Sequence, residues 1–470
     1  MPRRPLLPGW LFCALFGVWA AYAPALAQGN ALMSAPRSLK RSVDTVLIKG
    51  EALGPRILGA PKHLLRVFAC KGGFMLPITY QIDERTRAGG YCYDRGPTSA
   101  RVQDEDKGRV DGNDELLVLA REVGDRATPQ ALKLVPGYAA VQEVELTDPL
   151  DQGKAWIYVY RFPQGGVLPP PVTTDLVSLT VQPREEEEEA ICTYRGEGFS
   201  FNNARTPNNQ VRATSATFRQ PDGSWSQSPV DCSFMRGVAT FMWVEVVRHS
   251  SDIRVQLGGW IDGPIRVVAQ SQLKVYLALG FWATTPDSYY ILWPNKVTMP
   301  TNADCPVNLD QGGDSSYTLC WDMAKRTRGW KFYNSHNPDP VDIDGVMSPA
   351  EQRLDLTWPD WNCTYGPEGA MISKFVIPSS MRRPTNRLYY LDDQNAGAEA
   401  VEEGLQFEVG AFGTNGYRCD LRGMRSGTYP GDYVTWYLPA GYQHGDHVKY
   451  LNEYDHPIKS ATGTTGEGGS

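Results

Sequence analysis

Asp104, Asp106, Asp111, Asp114 and Glu115 stand within a dozen residues of one another, with Gly108 and Gly112 between them. Carboxylates at this spacing repel unless solvent or a hard cation neutralises them, and glycine lets a short loop fold around an ion. Asp104 and Asp106 form a DxD pair, with Asp111 and Asp114 placed to close a coordination sphere. Calcium takes about six to eight oxygens, which four carboxylates and backbone carbonyls can supply. Gly108 stands where an EF-hand would carry a third Asp, so the pattern is not of that type. The expectation is a structural calcium loop held by Asp104, Asp106, Asp111 and Asp114. The alternative is a solvated acidic hairpin.

Three other groups invite chemistry. Counted as an EF-type loop from Pro340, Asp342, Asp344, Gly345 and Glu351 fall at the third, fifth, sixth and twelfth positions. Proline offers no side-chain oxygen at the first position, so a turn rich in Asp and Pro is the better reading. Near the end, His444, Asp446, His447, Asp455 and His456 combine imidazole with carboxylate, which suits a transition metal or a general base. They follow a strand-like run in a Gly-containing stretch and read as a solvated loop. His444, His447 and Tyr442 would be the first catalytic candidates if the chain is an enzyme. Lastly, Trp358 and Trp361 flank Asp360, and sugars stack their C–H faces on aromatic rings while carboxylates bind their hydroxyls. Two core tryptophans at a strand bend would look the same. The motifs GxSxG, HExxH and GxGxxG, the P-loop and CxxC are absent.

The elements that must position these residues read as β. Residues 44–48, 64–68, 155–161 and 176–181 are short runs rich in β-branched and aromatic residues, punctuated by Gly and Pro. Residues 241–247 read as a strand buried on both faces, and 241–283 as consecutive antiparallel strands of one sheet. Only 348–354 reads as a short helix, with Ser348 as N-cap and Pro349 in the first turn. The Pro-rich stretch 163–171 is a linker. The chain is therefore expected to be all-β: a small N-terminal β domain over 28–165, then a large antiparallel β-sandwich over 172–459. The run Glu185–Glu189 is a solvated loop, and 460–470 is a disordered tail.

Arg3 and Arg4, the apolar stretch 10–23 and Ala25-Leu26-Ala27 form a secretory leader cleaved after Ala27. No later run approaches ~20 apolar residues, so no membrane span is expected after cleavage. The location implied is periplasmic or extracellular. Losing the leader takes the formal net charge from −7 to −9, which argues against a nucleic-acid partner. Besides Cys13 in the leader, eight cysteines remain: Cys70, Cys92, Cys192, Cys232, Cys305, Cys320, Cys363 and Cys419. An even number in an exported chain reads as disulfides. Neighbour pairing would give 70–92, 192–232, 305–320 and 363–419, one connectivity of about 105.

The order PxxYQxDE, Asp-rich loop, DELLVLA, then GPIRV at the head of a strand resembles a family of exported bacterial proteins associated with polysaccharide use. The matching residues are Pro77, Gln81, Asp83, Asp106, Asp111, Gly112, Asp114, Glu115 and Gly263-Pro264-Ile265-Arg266. That resemblance implies a mutarotase-like supersandwich. Two functions then stand side by side. One is a calcium-stabilised carbohydrate-binding or carbohydrate-active protein taking polysaccharide or oligosaccharide. The other is a non-catalytic scaffold that meets other envelope proteins.

Overall fold

The computed structural model describes residues 32–463, apart from 101, 173, 184–189, 204–212, 279–280 and 397–407. The leader, the run Glu185–Glu189 and the residues after 463 lie outside the described residues. The chain divides into two compact units, one of residues 1–89, 104–174 and 452–470, the other of 90–103 and 175–451. The main break falls just past the Pro-rich linker. The two exchanged segments were not expected. Tyr91 and Tyr93 carry 90–103 into the second unit by packing with Ile261, Val268 and Ile291, and Ile458 is buried in a core of the first.

The first unit rests on a five-stranded antiparallel sheet, ordered Lys459–Thr462, Ala140–Thr147, Lys154–Arg161, Leu65–Lys71, Phe74–Pro77. Successive side chains of a strand point to opposite faces. Ala155, Ile157 and Val159 accordingly join Leu65, Val67 and Val144 in one core with Val46, Ile48, Leu116 and Val118. Trp156, Tyr158 and Tyr160 point the other way, against Phe68, Ala131 and Leu132. Both faces are covered, which is why residues 155–160 read as a continuous apolar run. The second sheet, Thr45–Lys49, Glu115–Leu119 and Tyr80–Asp83, holds the acidic loop.

The second unit contains sheets of four, five and nine antiparallel strands. The five-stranded sheet runs Val244–His249, Val230–Phe241, Ser316–Met323, Ala411–Asp420, Arg387–Asp393. The nine-stranded sheet includes Val267–Ala278, Phe281–Leu292, Lys296–Cys305, Gly427–Pro439 and Gly369–Val376. Trp321 and Tyr417 from the former share a core with Tyr290, Tyr433 and Tyr437 from the latter, and the Trp321 indole N–H donates to the Tyr433 hydroxyl at 2.9 Å. Arg266, from the GPIRV stretch, is buried with its guanidinium over Tyr91 (5.2 Å) and Trp293 (5.1 Å). There it makes cation–π contacts with both rings. The chain is all-β, as expected.

Four local expectations are corrected. Residues 241–247 are not one buried strand: Met242 and Trp243 have φ of 50° and 66° and turn the chain into a hairpin. Positive φ at two successive non-glycine residues leaves no strong sequence signal, because glycine or asparagine is the usual occupant. Residues 241–283 are not one sheet either, since the chain leaves the five-stranded sheet at Ser250–Asp252 and enters the nine-stranded one at Ile253. Helix 348–354 shrinks to a single 3-10 turn, Glu351–Arg353. The N-cap of that turn is Ala350 rather than Ser348, although Ser348 and Glu351 exchange reciprocal bonds: Glu351 N–H donates to Ser348 Oγ (3.3 Å) and Ser348 N–H to Glu351 Oε2 (2.7 Å). Finally, Ser460–Thr462 are strand rather than disordered tail, because they pair with Val144–Leu146 and cover an otherwise open edge. Among the described residues no helix is long and apolar enough to cross a membrane.

Ending the chain after Pro457 removes Ile458 and this edge strand. Burial of an isoleucine contributes about 1.5–3 kcal/mol, so urea unfolding should show a loss of at least about 2 kcal/mol. An unchanged midpoint would mean that the strand adds nothing.

Candidate functional site

The acidic loop descends from two paired strands, with Asp83 opposite Glu115. Asp104 is buried; its Oδ1 accepts from the Glu105 N–H at 2.9 Å, and its Oδ2 has no partner. Carboxylate oxygens of Asp104, Asp106 and Asp111 lie within 4.8 Å of one another. Burial pushes the Asp104 carboxyl well above the ordinary range, and hydrogen bonding and charge from Asp106 push it further. Such a group is protonated or paired with a cation, since a bare buried carboxylate is costly.

Asp114 does not join this trio. Its two oxygens accept from the Arg85 N–H (2.9 Å) and the Asp111 N–H (3.0 Å), so it staples the loop. Burial nonetheless holds its carboxyl up at about 6. Glu115 is engaged by Lys49 Nζ at 2.6 Å. The sequence reading missed two contributors. Glu84 accepts from the Gly108 N–H (2.6 Å) and pairs with Lys62 (3.0 Å). Gly50 approaches the loop so closely that a Cβ would sit 1.8 Å from the Asp111 carbonyl oxygen. Glu84 lies inside the motif and was passed over, whereas Gly50 carries no signal without the fold.

The stretch around Asp344 is a turn. Asp392, buried on Arg387–Asp393, accepts from the N–H groups of Asp344, Gly345 and Gly413 at 2.9–3.0 Å. Glu351 Oε1 accepts from the Tyr390 hydroxyl at 2.6 Å, and Asp342 pairs with Lys331. These carboxylates are committed to folding, and burial raises Asp392 to about 6.

Residues from two separate sequence groups come together around Tyr333. Trp361 lies 4.2 Å from the His447 ring, and Tyr333 meets Trp361, His444 and His447 edge-on at 5.2, 4.8 and 5.4 Å. The Tyr333 hydroxyl bonds the Tyr442 hydroxyl and lies 3.0 Å from His447 Nδ1. His444 Nε2 is 2.9 Å from the Pro338 carbonyl. Tyr333 and Tyr442 are buried, Trp361 and His447 half-buried, His444 exposed. Burial, and then the charge of His444, lowers the His447 pKa, so His447 is neutral at pH 7. His447 opens a helix, His447–Asp455, where a solvated loop was expected. Tyr333, on the strand Lys331–Asn334, was not singled out because a buried strand tyrosine looks like any core residue.

Trp358 and Asp360 point elsewhere. Trp358 packs on Tyr417 (4.9 Å) and Phe375 (5.7 Å), and Asp360 pairs with Lys374 at 3.0 Å. Trp358, Asp360 and Trp361 are held by different partners, and Trp361 is the one with the imidazoles.

The four expected disulfides are not formed, and seven of the eight cysteines are buried. In each neighbour pair the two residues belong to different sheets or units. Cys192 is in the four-stranded sheet and Cys232 in the five-stranded, while Cys305 and Cys363 are in the nine-stranded and Cys320 and Cys419 in the five-stranded. Cys70 is in the first unit and Cys92 in the second. Burial pushes the thiols of Cys192, Cys363 and Cys419 up to about 12.

No family model matches the chain, and no curated protein matches it. Among solved structures it is similar to an alpha-mannosidase from Enterococcus faecalis V583, at 10% identity and a TM-score of 0.44, covering 93% of this chain and 46% of that one. It is similar also to a protein in glycosyl hydrolase family 38 from Enterococcus faecalis, at 8% identity and a TM-score of 0.44, covering 93% and 47%. The chain spans about half the length of either neighbour, and a likeness of this degree carries no argument about activity.

Proposed function

We propose that this is an exported saccharide-binding protein on a mutarotase-like supersandwich, with its N-terminal unit stabilised by calcium. The observation that carries the reading is Trp361. Its half-exposed ring is fixed by Tyr333 on one side and His447 on another, with His444 exposed beside it. A rigid indole offers a platform for the C–H face of a sugar, and imidazole groups offer hydrogen bonds to its hydroxyls. Glycosidases commonly work with two carboxyls flanking the bond. Here the carboxylates nearest in sequence, Asp360 and Asp446, are engaged by Lys374 and Lys449. The surface therefore supports binding better than hydrolysis. Calcium belongs to the reading because three clustered carboxylates, one of them buried with a bare oxygen, form a hard-cation donor set.

A ligand that binds only the native state raises its melting temperature. One glycan class in a polysaccharide panel should raise that of the parent protein, and Trp361→Ala should weaken its binding by at least about tenfold, ~1.4 kcal/mol. Silence across the panel would leave the envelope scaffold.

Calcium at pH 8 should raise the melting temperature over that in EDTA, and Asp106→Ala with Asp111→Ala should abolish the increment. An equal increment in the double variant would remove calcium from the reading.

The increment should also shrink as pH falls. Asp104 and Asp114 have folded-state pKa values raised above those of an unfolded Asp. Protons therefore stabilise the native state at low pH, and this contribution is lost as pH rises through about 6 for Asp114. In EDTA the parent should lose more stability between pH 5 and pH 8 than the double variant does. Parallel profiles would show that the cluster does not titrate in this way.

A further inference from the structure

Between the five-stranded and nine-stranded sheets of the second unit lies a cavity of about 360 Å³. Its existence follows from side-chain size. Met235, Gly237 and Ala239 alternate along the inner face of Val230–Phe241, and a Cβ added at Gly237 would meet nothing within 4 Å. Facing residues include Leu273, Val275, Met299 and Tyr290. Polar groups in the wall satisfy one another: Ser288 bonds Thr301 at 3.0 Å, and Trp321 bonds Tyr433. Among the described residues, Arg248 and Asp304 are the charged side chains in the lining. Leaving so large an apolar space empty costs stability in proportion to its volume, and ligand pockets span about 300–1,000 Å³.

Asn203 distinguishes this space from a packing defect. It lines the cavity at 1% exposure, and neither its amide oxygen nor its amide nitrogen has a partner among the described residues. One donor and one acceptor side by side match the acceptor and donor of a carboxylic acid group. The cavity comes to the surface along Ala303, Pro306 and Pro430, all exposed. Beside that rim stands the hairpin tip of Met242, Trp243 and Val244, exposed by 80%, 89% and 52%. The tip is tied to the rim, since Trp243 N–H donates to Asp310 Oδ2 (3.0 Å) and the adjacent Leu309 N–H to the Met424 carbonyl (2.8 Å); Leu309 and Met424 both line the cavity. An apolar tip beside an apolar mouth suits a ligand delivered from a lipid surface.

We infer that the sandwich binds a long-chain fatty acid between its sheets, with the acyl chain along Gly237 and Ala239 and the acid group on Asn203. This site shares no residue with the proposed saccharide surface. The test is fluorescence titration of the delipidated full chain with cis-parinaric acid, followed by displacement with palmitic acid or its methyl ester. Saturable binding displaced better by the acid than by the ester is expected. Gly237→Leu should fill the space, raising the melting temperature of the ligand-free protein while weakening parinarate binding at least about tenfold. Ala239→Leu should do the same and serves if the first variant fails to fold. Asn203→Leu should erase the preference for acid over ester. Absence of saturable binding, equal displacement by acid and ester in the parent, or unchanged affinity in both leucine variants would overturn the inference.

Discussion

Facing sheets pack about 10 Å apart, and the gap is filled only where inner side chains are large enough to meet across it. The second unit meets this constraint with aromatic rings. Trp321 and Tyr437 pack edge to face at 6.2 Å, and Phe199 stacks on Tyr437 at 4.6 Å. Tyr417, Tyr433 and Phe375 continue the layer. The indole N–H and the phenol of the central pair satisfy each other, so the layer buries area without leaving Trp321 or Tyr433 unpaired. Where Gly237 and Ala239 replace large residues the sheets do not close, and the cavity follows. Packing and cavity express the same spacing rule with different side chains.

The first unit depends on a different balance. Its five-stranded sheet has side chains packed on both faces, a solid platform for the three-stranded sheet that bears the acidic loop. That platform allows carboxylates to be gathered against their mutual repulsion. Asp114, Glu84 and Glu115 are engaged by backbone N–H groups or by lysine. Asp104 and Asp111 also accept from backbone N–H groups through Oδ1, yet oxygens of Asp104, Asp106 and Asp111 still lie within 4.8 Å of one another. The loop thus spends some acids on folding and reserves others. Spacing in the sequence could show the density of carboxylates but not this division, which depends on which backbone N–H groups turn inward.

The class and the strands read at 44–48, 64–68, 155–161 and 176–181 were legible, because burial on one or both faces imprints a period of two or an unbroken apolar run. Tyr158 and Val159 illustrate this, being adjacent residues in different cores. What was not legible is long-range. Nothing local tells Tyr91 and Tyr93 to join the second unit, or Ile458 the first. The turn at Met242 and Trp243 was hidden for another reason: its residues are of the type that usually continues a strand. Of the candidate sites, His444, His447, Tyr442 and Trp361 were each visible as residue types. Their convergence was not, because the centre of the cluster is Tyr333, whose sequence neighbours are ordinary strand residues.

Tyr333 also explains how a mostly apolar framework can hold histidines in one orientation. Its ring abuts Trp361 and both imidazoles, while its hydroxyl reaches the Tyr442 hydroxyl and His447 Nδ1. A phenol with two such neighbours donates its proton to one and accepts from the other. With His447 neutral, Nδ1 can accept a hydrogen bond from the Tyr333 O–H, whose oxygen in turn accepts from Tyr442, and this fixes the imidazole with its hydrogen on Nε2. The Cys363 thiol, 3.5 Å from the Tyr442 oxygen and pushed up to about 12 by burial, stays protonated and donates to that oxygen. The chain of donors from thiol to imidazole is then complete, and His447 Nε2–H is left as a donor. A histidine set in this way is suited to hold a hydroxyl oxygen beside the Trp361 ring.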